Sequence, residues 1–296
     1  MTLLRRDSTI PEALPAPRAE LLRDVFGAQS RGELVLRFVP RIALDDGRVD
    51  VCESFVTWEH PRHGPIADTV FVPLLRELEL MNRFSRFWLF GVAAYATRWP
   101  GRPRPRVSMR LGYDDFAGEG FDVTFRHTLR AMGLELSRLE LSIPAQALAR
   151  GTPEVTRVIA GLRADGARIL VRDPEPVLAW FLSCAQLPAD ALLLPRRLVA
   201  AVASHAKERG DARVLSGLAS SLHLELVAEG VATDAEEDAA IALGARYVSG
   251  SLHGPALSGP ELERWLERRL ESGAPPRRVS WPDAEAHPAL RSTRDR

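Results

Sequence analysis

From Phe71 onward, apolar stretches with helical spacing alternate with short aliphatic or β-branched runs, and this order restricts the fold more than any other feature of the chain. Helices are expected over Phe71–Trp99, Phe121–Met132, Pro153–Ala164, Val177–Cys184, Arg196–Lys207, Arg213–Leu222, Ala235–Leu243 and Gly259–Leu270. The runs between them, Val107–Leu111, Leu139–Ile143, Ala167–Val171, Ala191–Leu194, Leu224–Ala228 and Ala245–Val248, read as strands. Strands that alternate with helices form a mostly parallel sheet, and a long sheet wrapped by helices closes most naturally into a barrel. The alternative, an open doubly wound sheet, lacks a GxGxxG after any strand to support it. Ahead of this region Leu34, Leu36 and Phe38 alternate with Val35 and Arg37 before Pro40. A second run, Val49–Trp58, follows Asp46-Gly47, a dipeptide that favours a hairpin between two such runs.

These elements divide the 296 residues into a tail or leading helix over 1–28, one barrel domain over 29–272 and a Pro- and Arg-rich tail over 273–296. Leu21, Leu22, Val25 and Phe26 form the amphipathic part of the first segment. No apolar run is long enough to cross a bilayer and no signal sequence follows Arg5 and Arg6, so a cytoplasmic protein that does not enter the membrane is expected. Lys plus Arg equals Asp plus Glu at 39 each, which removes the positive field that nucleic-acid binding uses. The basic patches at Arg102, Arg104 and Arg106 and at Arg268 and Arg269 read as solvated surface. Cys52 and Cys184 stand far apart and read as small buried hydrophobes. His60 and His63 share a Pro-containing turn without a visible third metal ligand, so a turn role is expected of them. Trp58, Trp88, Trp99 and Trp180 read as core.

The segment Glu53-Ser54-Phe55-Val56-Thr57-Trp58-Glu59-His60-Pro61 resembles the signature of the EAL family, Glu-Ala-Leu-Leu-Arg-Trp leading into a His-Pro turn. Phe71-Val72-Pro73-Leu74 is similar to the family's Phe-Ile-Pro helix start, and Leu187-Pro188-Ala189-Asp190 to its Leu-Pro-Val-Asp lead-in to a strand. Val227-Ala228-Glu229-Gly230-Val231 and Leu243-Gly244-Ala245-Arg246-Tyr247-Val248 resemble the closing section. The resemblance runs from about Leu34 to Trp265 and implies a TIM-like α/β barrel whose first strand runs against the others.

Active members of that family hydrolyse cyclic di-GMP with two divalent ions, and the resemblance allows each functional position to be checked. Glu53 stands at the signature glutamate and Glu229 at the late acidic position. The family's asparagine falls on Arg110, a metal-binding glutamate on Ser142, and the glutamate three residues later on Ala145. The paired aspartates fall on Arg172 and Asp173, the catalytic lysine on Leu193 and the aspartate after it on Pro195. A further glutamate is Ala232, Ser249–His253 replaces the usual lining, and the nucleotide-holding arginine is Thr57. With Arg110 and Arg172 beside Glu53, Asp173 and Glu229, the pocket is expected to repel metal ions and to pair its own cations with its acids.

The expectation is therefore a domain without catalytic residues, bound metal or cofactor, which acts through an unidentified protein partner. The remnant pocket Glu53, Arg110, Arg172, Asp173 and Glu229 is the candidate ligand site. A cyclic di-GMP receptor that does not cut its ligand is the second reading and a residual phosphodiesterase the third. The family resemblance also makes a homodimer plausible.

Overall fold

A computed structural model describes residues 15–101, 103–117, 120–149, 151–172, 189–204 and 209–272. The expected helix over Val177–Cys184, together with Asp173, Trp180 and Cys184, lies outside the described residues. The strands are β1 (Leu34–Ala43), β2 (Val49–His60), β3 (Gly64–Ile66), β4 (Arg106–Arg110), β5 (Leu139–Pro144), β6 (Arg168–Arg172), β7 (Ala191–Leu194), β8 (Glu225–Ala228), β9 (Ala245–Ser249) and β10 (Leu257–Ser258). Eight of them close a ring in the order β1-β2-β4-β5-β6-β7-β8-β9, with the short β3 and β10 paired onto its margin. Neighbours from β2 and β4 through β8 and β9 are parallel, whereas β1 lies antiparallel to both β2 and β9. The barrel and its reversed first strand match the expectation.

The hairpin that reverses β1 is built as its sequence requires. Gly47 adopts φ of 69°, a backbone region that costs a glycine little, and its N–H donates to the Ala43 carbonyl. The strand continues through Pro40 to Ala43, further than the alternation before Pro40 alone indicated, with a bulge between Arg41 and Ile42. Leu34, Leu36, Phe38 and Ile42 thereby face the layer between sheet and helices, which holds the main core with Trp58, Trp88 and Trp99. The leading helix Arg18–Ala28 joins this core through Leu21, Val25 and Ala28.

One expected element is divided. The single helix over Phe71–Trp99 is two, Asp68–Glu77 and Met81–Ala96. Between them the Leu80 N–H donates to the Leu75 carbonyl and the Glu79 N–H to that of Arg76, a Schellman arrangement that places Glu79 at φ of 56°. Apolar spacing runs through the break and no glycine or proline marks it, because a glutamate occupies the position where glycine is usual. His223 does the same after the helix Arg209–Ser221, at φ of 55°, whereas Gly133 and Gly166 fill the equivalent positions elsewhere.

A left-handed conformation costs a residue with a Cβ roughly 1–2 kcal/mol, part of which glycine returns through its more flexible unfolded state. Glu79→Gly and His223→Gly should therefore each raise stability, by about 0.5–1 kcal/mol, in urea unfolding followed by circular dichroism. A loss of stability in both variants would show that the side chains contribute more than the backbone strain.

Candidate functional site

In a closed barrel both strand faces are buried, so a charged residue set between aliphatic ones must point into the interior and find partners there. In β5, Leu139, Leu141 and Ile143 face the helices, leaving Glu140 and Ser142 on the inward face. In β6, Ile169 and Val171 face outward, leaving Arg168, Leu170 and Arg172 inward. The mid-barrel filling is apolar, made by Ala43, Leu170, Ala191, Leu193, Val227 and Tyr247.

Beside this filling runs a chain of buried ion pairs. Arg41 of β1 is fully buried, and its Nε and Nη2 donate to Glu53 Oε1 at 2.9 and 2.7 Å while Nη1 donates to Glu140 Oε2 at 2.8 Å. Arg168 lies 3.5 Å from the same Glu140 carboxylate, donates to Asp50 at 2.9 Å, and pairs with Glu225. Burial by itself would make the Arg41 guanidinium easier to deprotonate, but Glu140 and Glu53 reverse this and hold it above its ordinary range. Burial likewise works to raise the Glu140 carboxyl, yet Arg41 and Arg168 outweigh it and hold that group below its ordinary value. Both groups are charged because each supplies the counter-charge the other needs.

At the C-terminal mouth, Arg110 ends β4 and Glu229 directly follows β8, which stand on opposite sides of the eight-membered ring. Their side chains meet across the opening, with Arg110 Nη2 donating to Glu229 Oε1 at 2.9 Å. Asp68 at the start of the helix Asp68–Glu77 is 4.0 Å from the same guanidinium. The Ser249 hydroxyl lies 3.3 Å from Glu53 Oε1, so one carboxylate oxygen faces both Arg41 and Ser249.

The candidate residues are thus only partly gathered. Glu229 meets Arg110, while Glu53 is held by Arg41, a partner that the sequence reading overlooked. Arg172 ends β6 half-buried on the inward face, and the residue after it, Asp173, lies outside the described residues. Thr57 is buried, and Leu193 is packed into the apolar filling. Pro195 precedes the helix Arg196–Ala203, and the Ala232 N–H donates to Glu236 at 2.6 Å in the capping of the helix Asp234–Ala242. Gly250, next to Ser249, has φ of 148°, and a Cβ there would meet the Val231 carbonyl at 2.2 Å, so the backbones touch at the end of β9.

The His60–His63 turn serves the leading helix. His60 Nδ1 accepts the Arg62 and His63 backbone N–H groups, while its Nε2 is 3.1 Å from Asp24. His63 reaches Glu20 at 3.0 Å, and Arg62 joins both acids at 2.8 and 2.7 Å. Trp58 is enclosed beneath the turn, its indole N–H donating to Glu33 at 3.0 Å, and so is a core residue with no exposed ring face. Cys52 is buried, and burial pushes its thiol far above the ordinary range.

With this geometry in view, residues 21–256 match the family model described as the EAL domain. The bifunctional diguanylate cyclase/cyclic di-GMP phosphodiesterase MucR of Pseudomonas aeruginosa is 26% identical over 245 residues, covering 82% of this chain and 36% of the relative. The cyclic di-GMP phosphodiesterase NbdA of the same species is 26% identical over 249 residues, covering 83% of this chain and 32% of the relative. The chain therefore spans about a third of the length of these relatives. Among solved structures, the MucR phosphodiesterase in its c-di-GMP complex superposes with a TM-score of 0.77 at 26% identity, covering 82% of this chain and 99% of that one. The EAL domain of FimX from P. aeruginosa, bound to c-di-GMP, is similar in fold, with a TM-score of 0.69 at 16% identity and coverage of 82% and 98%.

Two outcomes follow from the ion pairs. Arg41→Ala, which strands two buried carboxylates, should cost about 3–5 kcal/mol. Arg110→Ala, at a half-exposed pair, should cost under about 1 kcal/mol in the same unfolding measurement. The pH dependence has a definite sign. A carboxyl held below its unfolded value contributes stability above that value and loses it as the solution is acidified through the folded one. The Glu140 contribution should be complete above its ordinary value of 4.5 and fade below it. Chemical unfolding between pH 3 and 6 should accordingly show a shallower acid limb for Glu140→Gln; an unchanged slope would mean that Glu140 is not the group responsible.

Proposed function

The chain belongs to the EAL domain family, and we propose that its barrel does not hydrolyse cyclic di-GMP but serves as a regulatory protein-interaction module in bacterial signalling. The observation that carries this reading is the Arg110–Glu229 hydrogen bond of 2.9 Å across the mouth. A second support is Arg41, whose guanidinium holds Glu53 from inside the barrel. The two described survivors of the family's acidic set are thus each neutralised by a covalently attached cation. The donors left do not fit a pair of divalent ions: Arg110 adds a positive charge where the family has an amide, and Ser142, Leu193 and Pro195 stand where it has a carboxylate, an amine and a carboxylate. Metal ions entering here would have to displace two guanidinium groups, one of them fully buried. A cytoplasmic location belongs to the same proposal; no described helix is long and apolar enough to cross a membrane.

One observation favours a second reading, a receptor that binds the dinucleotide intact. Arg110 is partly exposed at the mouth, where its planar fork could exchange Glu229 for a phosphate. The MucR and FimX structures contain c-di-GMP, which makes that ligand the one to test.

Calorimetric titration with cyclic di-GMP, with and without Mg²⁺ or Mn²⁺, together with chromatographic assay of the product, separates the readings. No binding heat and no linear dinucleotide are expected. Metal-independent binding that Arg110→Ala abolishes would establish the receptor, and metal-dependent turnover would end both readings. Affinity capture from the native cell should then yield a partner whose binding is unaffected by the dinucleotide.

A further inference from the structure

The opposite end of the barrel carries a feature that the proposed function does not use. A cavity of about 1220 Å³ opens at the N-terminal ends of the strands, where Arg106, Arg168 and Glu225 begin β4, β6 and β8 and Asp50 is the second residue of β2. This exceeds the roughly 300–1,000 Å³ usual for small-molecule pockets. In barrels of this kind residues at the N-terminal face ordinarily serve stability, and a large recess there calls for an explanation.

The lining is unbalanced in charge. Seven arginines and four carboxylates surround it. Each carboxylate is already engaged: Asp50 by Arg106 at 3.2 Å and Arg168 at 2.9 Å, Asp190 by Arg163 at 2.9 Å, Asp46 by Arg48 at 3.3 Å, and Glu225 by Arg168 and by Arg246 at 2.6 Å. Arg104 and Arg138 have another arrangement. Arg138 donates to the backbone carbonyls of Pro105 at 2.7 Å and Ala96 at 3.1 Å, and Arg104 to that of Thr97 at 3.0 Å. Carbonyl dipoles orient a guanidinium but do not neutralise it as a carboxylate at hydrogen-bond distance would. Burial, followed by repulsion from Arg104, makes the Arg138 guanidinium harder to keep protonated than an ordinary arginine, and attraction to Glu135 offsets only part of this. Arg106, also within repelling range, completes a wall of three neighbouring cations.

We propose that this cavity is a second binding site, and that it takes a small phosphorylated molecule whose phosphate groups sit against Arg104, Arg106 and Arg138. The guanidinium fork matches phosphate oxygens two at a time, and the adjacent cations suit a group that carries more than one negative charge. Pro100, Pro103, Pro105 and Leu270 give the same recess rigid apolar surface for a non-phosphate portion of the ligand. Arg104 and Arg106 of the basic patch, the first of them exposed to solvent, line this recess. The site is separate from the C-terminal mouth, so the proposal stands or falls independently of the chemistry there.

Pyrophosphate is a direct probe. Titrated into the full chain at low salt and followed by calorimetry, it should bind saturably, and the affinity should fall as ionic strength rises. Arg104→Gln, at an exposed side chain, should weaken binding about tenfold without altering the unfolding curve. Arg138→Gln should weaken it at least as much, while Arg83→Gln, on the helix Met81–Ala96, should leave it unchanged. Loss of affinity in Arg83→Gln equal to that in Arg104→Gln would reduce the effect to net charge and overturn the proposal. So would an absence of saturable binding, or binding that Arg110→Gln removes and Arg104→Gln does not.

Discussion

Arg41 is the group on which the barrel interior depends. A fully buried guanidinium is tolerated only when its charge is matched at hydrogen-bond distance, and here Glu53 and Glu140 supply that match from two different strands. Through Glu140 the same network reaches Arg168, and through Arg168 it reaches Asp50 and Glu225. Five strands, β1, β2, β5, β6 and β8, are thus tied to one another by side chains as well as by backbone hydrogen bonds. Such a network contributes little net stability compared with an apolar filling, but it leaves few alternative registers, since a slip of one residue would bury unpaired charges.

How far the sequence could disclose this depends on the kind of signal. The alternation of helix and strand is a local pattern that led to the barrel, whereas the reversed first strand came from the family resemblance, which the Asp46-Gly47 turn fits. The split of the Phe71–Trp99 helix was hidden because Glu79 takes a glycine's conformation without a glycine's signature. Arg41 was legible in principle. Leu34, Leu36 and Phe38 on one face imply Val39 and Arg41 on the other, and only the assumption that Pro40 ended the run concealed it. Glu140 was equally open to inference from the leucines on either side of it. Which acid each arginine would choose was not, because pairing across a barrel depends on strand stagger that no single segment encodes.

Family membership and side-chain contacts explain different parts of the molecule. Relationship to EAL domains accounts for the chain path and for the acids Glu53 within β2 and Glu229 just after β8. It does not account for Arg41 and Arg110, which are understood only from what they touch. Both acids are met here by guanidinium groups of the chain itself, Glu53 by Arg41 and Glu229 by Arg110. Opposite-charge groups keep a carboxylate-lined interior from repelling itself.

The direction of β1 also decides where the leading helix meets the barrel. Because β1 alone runs against the parallel strands, it starts beside Trp58, toward the end of β2, and not beside the hairpin. Helix Arg18–Ala28 consequently lies at that end, moored by Asp24 and Glu20 to the turn that follows β2. A displacement of this helix would act as a crank on the rim of the C-terminal opening. Mechanical input arriving ahead of residue 18 would then be felt first at the end where Arg110 meets Glu229, with the length of the interior between it and the arginine-lined recess.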